Sequence, residues 1–120
     1  MKKTKMLKKN YEFKYVLTKG KYFSGKYIES FINKNNKNNK NNNYIGLAIS
    51  TKIGNAVKRN KIKRLIRENY KNYENMIKEG YSIVFLFKKK SDTKEVNYCN
   101  IKEDLNNIFS KANLFKDNNI

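Results

Sequence analysis

The distribution of hydrophobic and polar positions predicts that ordered structure begins with a short helix. Phe13, Val16 and Leu17 recur at helical spacing, and Asn10 is positioned to cap the helix at its start. Gly20 is positioned to end it in the left-handed backbone conformation. The first seven residues are polar and basic without periodicity, so we expect them to be disordered.

Three further segments carry the pattern of strands. Residues 26–32 alternate, with Tyr27, Glu29 and Phe31 on one face and Ile28, Ser30 and Ile32 on the other. Residues 43–51 resume the alternation and predict a second strand, paired antiparallel with the first. The apolar run at residues 81–87 predicts a strand buried on both faces at the centre of the sheet.

Two longer segments have helical periodicity. One is the basic segment that begins near Val57, and the other is a C-terminal segment that Asn97 or Asp92 could cap. The apolar positions of the C-terminal segment are Ile101, Leu105, Ile108, Phe109 and Ala112. The order helix, strand, strand, helix, strand, helix predicts an α/β fold, a two-layer sandwich of a small mixed sheet with packed helices.

The charge of the chain indicates what kind of partner it binds. Lys and Arg total 28 against 10 Asp and Glu, and a formal net charge of +18 indicates a polyanionic partner. Nucleic acid is favoured over a membrane or an acidic protein, because the charge is combined with Asn and aromatic side chains. The single Cys99 excludes an internal disulfide, and no signal-peptide or membrane-spanning pattern occurs, so we expect a cytoplasmic protein.

The length of 120 residues and the 38% hydrophobic content suit one compact domain. From Asn33 to Asn43 every residue is Asn or Lys, which predicts a flexible loop rather than a domain boundary. We therefore expect a single RNA-binding domain over residues 1–120, with a flexible loop at about residues 33–43.

The basic helix carries the most specific pattern. Its apolar stripe consists of Ile62, Leu65, Ile66, Tyr73, Met76 and Ile77, and its opposite side carries a ladder of Asn60, Arg64, Arg67 and Lys71. Most charged helix faces are merely solvated, but those faces mix signs, whereas this ladder contains no acid. Arginine binds phosphate bidentately and asparagine can pair with a base edge or sugar hydroxyl, so the ladder predicts contact with nucleic acid.

Residues 52–69, KIGNAVKRNKIKRLIREN, resemble the signature of the bacterial ribonuclease P protein family, in which a basic helix opens with Arg-Asn-Arg. Similarity in LKKNYEF, YIGLAIST and FSKANLF extends the resemblance over nearly the whole chain apart from the Asn/Lys stretch. Lys61 stands at the third signature position in place of arginine, and Leu17 stands where the family often has an aromatic residue.

The resemblance implies a ribonuclease P protein-like topology, also described as ribosomal protein S5 domain 2-like. It also implies a protein that helps a catalytic RNA remove the 5′ leader of precursor tRNA. The RNA-subunit contacts that the resemblance implies are Arg59, Asn60, Lys61, Lys63, Arg64 and Arg67. Residues at the helix entry and in the ladder extend this predicted set to Lys52, Asn55, Lys58 and Lys71. The implied leader-cleft residues are Lys9, Phe13, Leu17 and Phe31, of which Phe13 and Phe31 either stack on bases or belong to the core.

The set of reactive side chains in the sequence fits a protein that assists a catalytic RNA. The chain has no His, and no acidic pair occupies a recognisable metal-binding or acid–base motif, so we expect no catalytic residue and no metal ligand in the protein. Mg²⁺ would be held mainly by the RNA subunit. We expect the RNA subunit and the precursor leader as partners, and neither DNA nor a membrane.

Two alternatives stay open from the residues. A non-catalytic ribosomal or other structured-RNA-binding protein would be equally small and basic. A peripheral membrane protein held by the basic helix is disfavoured, because the apolar stripe lacks the large aromatic surface typical of membrane insertion.

Overall fold

The computed structural model describes residues 4–34, 42–88 and 96–116, which form one five-stranded mixed sheet and three α-helices. In chain order the elements are β1 (Thr4–Met6), α1 (Asn10–Lys19), β2 (Lys21–Ser24), β3 (Ile28–Lys34), β4 (Asn43–Leu47), a short 3-10 helix (Thr51–Ile53), α2 (Ala56–Tyr73), β5 (Tyr81–Phe87) and α3 (Tyr98–Lys111). The strands are arranged in the order β1-β4-β5-β3-β2.

The apolar strand β5 lies at the centre of the sheet, as its sequence predicts. Ile83, Val84 and Phe85 are fully buried, and β5 pairs antiparallel with β3 and parallel with β4. The predicted antiparallel pairing of β3 with β4 is therefore wrong, because β5 lies between them. Alternation determines which face of a strand is buried, but it does not determine which strand lies alongside.

Helices cover both faces of the sheet. On one face α1 packs Val16 against Tyr44 and Val84. On the other face the apolar stripes of α2 and α3 join Ile45 and Ile83 in a larger core. The predicted α/β class and mixed sheet are confirmed, with a helical layer on each face of the sheet. Successive residues of β5 point to opposite faces, which explains why nearly the whole strand is apolar.

The two edge strands have no sequence signal of their own. Thr4–Met6 pair parallel with β4, so the expected disorder of the first seven residues is wrong for β1, while residues 1–3 lie outside the described residues. The predicted strand at residues 26–32 starts instead at Ile28, and β2 pairs antiparallel with it. Both edge strands take their conformation from a neighbouring strand, and such pairing leaves no periodicity in a three- or four-residue segment.

The turn between β2 and β3 is held by Asp104 of α3. Its carboxylate accepts backbone hydrogen bonds from Lys26 (2.9 Å), Tyr27 (2.6 Å) and Ile28 (2.8 Å). A Cβ on Gly25 would lie 2.6 Å from Asp104 Cγ, so this close approach requires glycine. Because of this turn Tyr27 precedes β3 and packs in the larger core, and its predicted position on the Glu29 and Phe31 face is wrong.

The Asn/Lys stretch contributes to the sheet at both ends. Asn33 and Lys34 complete β3 and Asn43 begins β4, while residues 35–41 of the predicted flexible loop lie outside the described residues. Asn43 is only 2% exposed; its amide group donates to the Lys78 carbonyl (3.2 Å) and accepts from the Tyr81 N–H (2.9 Å). Asn43 is therefore a buried structural residue, although the composition of the stretch predicts no burial.

The helix ends follow the sequence only in part. Asn97 caps α3 by accepting the Asn100 N–H (2.9 Å), as predicted, and the alternative cap Asp92 lies outside the described residues. Asn10 is the first residue of α1 rather than its cap, because Lys9 occupies the cap position. Gly20 is extended (φ −75°, ψ 157°), so the predicted left-handed ending is wrong.

Candidate nucleic-acid interface

Helix α2 separates charged from apolar side chains. Ile62, Leu65, Ile66 and Tyr73 are buried against the sheet and α3, whereas the ladder of Asn60, Arg64, Arg67 and Lys71 is exposed. The predicted stripe is wrong at Met76, which is 53% exposed, because α2 ends at Tyr73 and the chain leaves the helical path. The exposed face of α2 is therefore predominantly basic, with Glu68 beside the ladder.

The start of α2 is built by local hydrogen bonds. Asn55 accepts the Lys58 N–H through Oδ1 (3.0 Å) and caps the helix, and Ser50 accepts the Lys52 N–H in the 3-10 helix (3.2 Å). Arg59 donates through Nε to the Gly54 carbonyl (3.2 Å), which orients its guanidinium. Asn55 thus has a structural role in addition to any contact that its amide group makes with RNA.

The residues predicted to contact the RNA subunit lie together on this part of the fold. Exposed members are Lys52, Asn55, Lys58, Asn60, Lys61, Arg64, Arg67 and Lys71, and half-buried members are Arg59 and Lys63. Glu68 approaches Arg64 with a distance of 3.8 Å between Oε1 and Nε, and both side chains are largely exposed. An exposed ion pair of this kind contributes less than about 1 kcal/mol to stability. Arg64 can therefore exchange the Glu68 carboxylate for a phosphate.

A second surface lies on the α1 face of the sheet. Tyr22, Phe31, Val84 and Gly46 are cross-strand neighbours and form one row from β2 to β4. The Phe13 ring covers Gly46 so closely that an added Cβ would lie 2.4 Å from its Cε1 atom. The row therefore runs from the space beneath α1 to the exposed edge of the sheet.

Aromatic exposure increases along this row. Val84 is fully buried, Phe31 is half-buried, and Tyr22 is 50% exposed. The rings of Tyr22 and Phe31 are in contact, with centroids 5.3 Å apart and an interplanar angle of 59°. Phe13 and Phe31 also pack with the small apolar cluster beneath α1, so each ring has one side in the core and a part that faces outward.

The next row on the same face extends this surface beside α1, which we call the candidate cleft. Glu29 pairs with Leu86, and both are half-buried, as is Ala48 at the end of β4. Leu17 lies one helical turn beyond Phe13 on α1 and is 36% exposed. The Tyr22 hydroxyl donates a hydrogen bond to Glu29 Oε2 (2.5 Å). This hydrogen bond is the main cause, and burial the second cause, that raises the pKa of Tyr22 above its ordinary value.

The implied leader-cleft residues are only partly brought together. Phe13 and Phe31 pack in one cluster, with Leu17 on the same side of α1 as Phe13. Lys9 lies at the start of α1, where its Nζ is 5.8 Å from the Tyr11 ring centroid. The sequence does not identify Tyr22 as a cleft residue, because only the β2–β3 register places it opposite Phe31.

Metal and membrane sites are not evident in the described part of the chain. Among residues 4–34, 42–88 and 96–116, no group of three or more His, Cys, Asp or Glu side chains could hold a metal ion. Within the same residues no helix is both long enough and apolar enough to cross a membrane. The buried carboxylate of Asp104 is occupied with backbone donors.

Comparison with known proteins gives the family. A family model described as ribonuclease P matches residues 1–113. The chain belongs to the bacterial ribonuclease P protein family. It is 38% identical over 114 residues to the ribonuclease P protein component of Clostridium botulinum (strain 657 / Type Ba4), covering 94% of this chain and 98% of that relative. It is 37% identical over 115 residues to the component from Clostridium novyi, covering 96% and 99%.

Solved structures of the family share the fold. The Staphylococcus aureus RNase P protein superposes with a TM-score of 0.79 at 31% identity, covering 92% of this chain and 97% of that one. The Thermotoga maritima protein gives 0.76 at 26% identity, covering 88% and 96%. The chain is thus the protein component of the ribozyme endonuclease RNase P and functions in tRNA 5′ maturation, which sets aside the ribosomal-protein alternative.

Proposed function

We propose that this protein binds the RNA subunit through the basic face of α2 and holds the 5′ leader of precursor tRNA in the cleft beside α1. In this role it assists leader removal, while the RNA subunit performs the chemistry. The observation that carries the proposal is the acid-free ladder of Asn60, Arg64, Arg67 and Lys71, which is exposed along α2 opposite its buried stripe.

Charge and geometry support α2 as the RNA-subunit face. An exposed row of cations neutralises successive phosphates and releases their counterions, which is a large part of protein affinity for structured RNA. The arginines add planar, bidentate recognition, and Asn60 adds a group that can donate to and accept from a sugar or base. Lys61 keeps the charge of the family signature but offers a point charge without the guanidinium fork.

The cleft suits a single strand. Outward parts of the Phe31 and Tyr22 rings offer stacking surfaces, and stacking does not require base pairing. The floor of the cleft continues through Ala48 and leads along the chain to Lys52 and α2. The two proposed surfaces lie on opposite faces of the sheet and are joined by this short segment of the chain.

The remaining parts of the proposal follow from this division of labour. Mg²⁺ is held mainly by the RNA, and the protein lowers the Mg²⁺ requirement by neutralising phosphate and positioning substrate. The working protein is a single cytoplasmic RNA-binding domain whose partners are the RNA subunit and the precursor leader, with no role for DNA or a membrane.

A cleavage assay with the host's catalytic RNA tests the proposal. We expect the protein to lower the Mg²⁺ concentration needed for leader cleavage and to favour precursor over mature tRNA, with no cleavage by protein alone. Cleavage by the purified protein without RNA would contradict it. An unchanged Mg²⁺ requirement, together with equal affinity for precursor and mature tRNA, would also contradict it.

A further inference from the structure

A hydrogen-bonded acid stands at the rim of the cleft. Glu29 lies on the same face of β3 as Phe31, two residues away, and its Oε2 accepts the Tyr22 hydroxyl at 2.5 Å. The chain carries 28 basic residues and only 10 acids, so an acid at a nucleic-acid surface needs a reason. A carboxylate repels the phosphates of a leader, and it therefore lowers affinity unless it accepts hydrogen bonds from a base.

The chemistry of Glu29 selects among bases. An ionised carboxylate only accepts hydrogen bonds, and its Oε1 is not the oxygen that binds Tyr22. Adenine, cytosine and guanine carry an exocyclic amino group that can donate to such an acceptor. Uracil carries a carbonyl oxygen where cytosine carries its amino group, so a contact at that position of the base edge becomes repulsive.

The spacing on β3 allows stacking and base reading together. Two residues along a strand are separated by about 6.6 Å, so a base that stacks on Phe31 reaches toward Glu29 with its edge. The hydrogen bond from Tyr22 holds the carboxylate, while the contact between the Tyr22 and Phe31 rings holds the stacking surface. These three side chains present two tilted aromatic rings beside a single oriented acceptor.

We propose that Glu29 is a specificity-determining residue that selects a leader base with an exocyclic amino group over uracil at one leader position. This inference rests on the proposed leader cleft. Because the carboxylate also repels phosphate, it orients the bound strand with its bases inward and its backbone toward solvent. Tyr22 is the positioning residue that orients Glu29.

The test uses the complete holoenzyme and precursor tRNAs whose leaders differ by cytosine or uracil at one position, moved along the leader in turn. At one position we expect the wild type to bind the cytosine substrate roughly three- to tenfold more tightly, as one charge-assisted hydrogen bond at a partly exposed site allows. In Glu29→Gln, the side-chain amide keeps an oxygen that can accept the Tyr22 hydroxyl. Its NH2 group is a new donor, which can bind the carbonyl oxygen of uracil. We expect this variant to lose or reverse the preference at that position only.

A matched control separates base reading from a general change in charge. Glu103 is an exposed acid on α3, and Glu103→Gln should keep the wild-type preference. Tyr22→Phe should reduce the preference without reversing it, because it leaves the carboxylate in place but unoriented. Thermal melting of each variant establishes that the fold is retained.

The outcomes distinguish this inference from the function on which it rests. If precursor substrates bind more tightly than leaderless ones but no position discriminates cytosine from uracil, or if Glu29→Gln keeps the wild-type preference, Glu29 does not read a base. If precursor and leaderless substrates bind equally, the leader cleft itself is refuted.

Discussion

At the residue scale, one tyrosine hydroxyl joins three elements of the fold. Tyr70 of α2 is fully buried, and its Oη lies 2.7 Å from the hydroxyl of Thr4 in β1 and accepts from Asn43 Nδ2 in β4 at 3.5 Å. Burial raises the pKa of Tyr70, and the hydrogen bonds with Thr4 and Asn43 oppose that increase only in part. The edge strand β1 is therefore attached to the fold through a neutral phenol.

Replacing this hydroxyl should reduce stability by about 1–3 kcal/mol, because Tyr70→Phe leaves the Thr4 hydroxyl buried without this partner. The raised pKa gives the effect a pH dependence. Stability from neutral Tyr70 is complete below the unfolded value of about 10 and is lost as pH rises through the folded pKa. Denaturant unfolding between pH 8 and 11 should therefore show a steeper alkaline loss in the wild type than in Tyr70→Phe.

Tyr11, which is 67% exposed, provides the matched control for this measurement. Tyr11→Phe should follow the wild-type stability curve at every pH. Parallel curves for the wild type and Tyr70→Phe would show that the buried phenol does not contribute to the alkaline loss.

At the element scale, α2 combines in one helix a face that packs in the core and the face that we propose binds the RNA subunit. Its buried side includes Asn69, whose amide donates to the Leu65 and Tyr98 carbonyls and links α2 to α3. Its exposed side carries Arg64 and Arg67, which have no part in the core. Because the two faces are opposed, the exposed residues can be changed without disturbing the packing.

The double variant Arg64→Ala with Arg67→Ala should weaken binding to the RNA subunit and preserve the melting temperature. The slope of log K against log salt should become shallower by about 0.7–0.9 for each phosphate that the variant no longer neutralises. Filter binding over a range of salt concentrations measures this slope. As a control, Lys102→Ala with Lys111→Ala removes two exposed charges from α3 and should leave the slope unchanged. If the slope also stays unchanged in the arginine variant, the ladder is only a solvated charged face.

At the scale of the whole molecule, the sheet separates the two surfaces to which we assign different tasks. α1 and the cleft lie on one face of the sheet, whereas α2 packs on the opposite face, and the segment after β4 connects them. A net charge of +18 disfavours the isolated compact protein, and binding to RNA relieves that repulsion. Affinity for the RNA subunit and affinity for the leader should therefore respond to different substitutions.

Phe31→Leu tests this separation. We expect weaker holoenzyme affinity for precursor tRNA with a leader of several nucleotides, because stacking on an aromatic ring contributes about 1–3 kcal/mol per base. Affinity for the RNA subunit and for mature tRNA should stay nearly constant. Leucine retains most of the apolar volume of this half-buried ring, so a sharp fall in melting temperature with leader discrimination preserved would make Phe31 a core residue only.

The sequence by itself determined the α/β class, the central strand and the opposed faces of α2. These features depend on periodicity and burial, which neighbouring positions such as Ile62, Leu65 and Ile66 express locally. The basic ladder is also a local pattern, because residues on one helix face are set by spacing alone. For this reason the exposure of Asn60, Arg64, Arg67 and Lys71 could be predicted residue by residue.

Only the tertiary structure decided the strand order, the edge strands and the composition of the cleft. The insertion of β5 between β3 and β4, the pairing of Thr4–Met6, and the burial of Asn43 each depend on partners distant in sequence. The contact of Tyr22 with Phe31 and Glu29 likewise depends on the β2–β3 register. Hydrophobic alternation determines which face of a strand is buried, but it does not determine which strand lies alongside. Contacts between residues distant in sequence form only when the chain has folded.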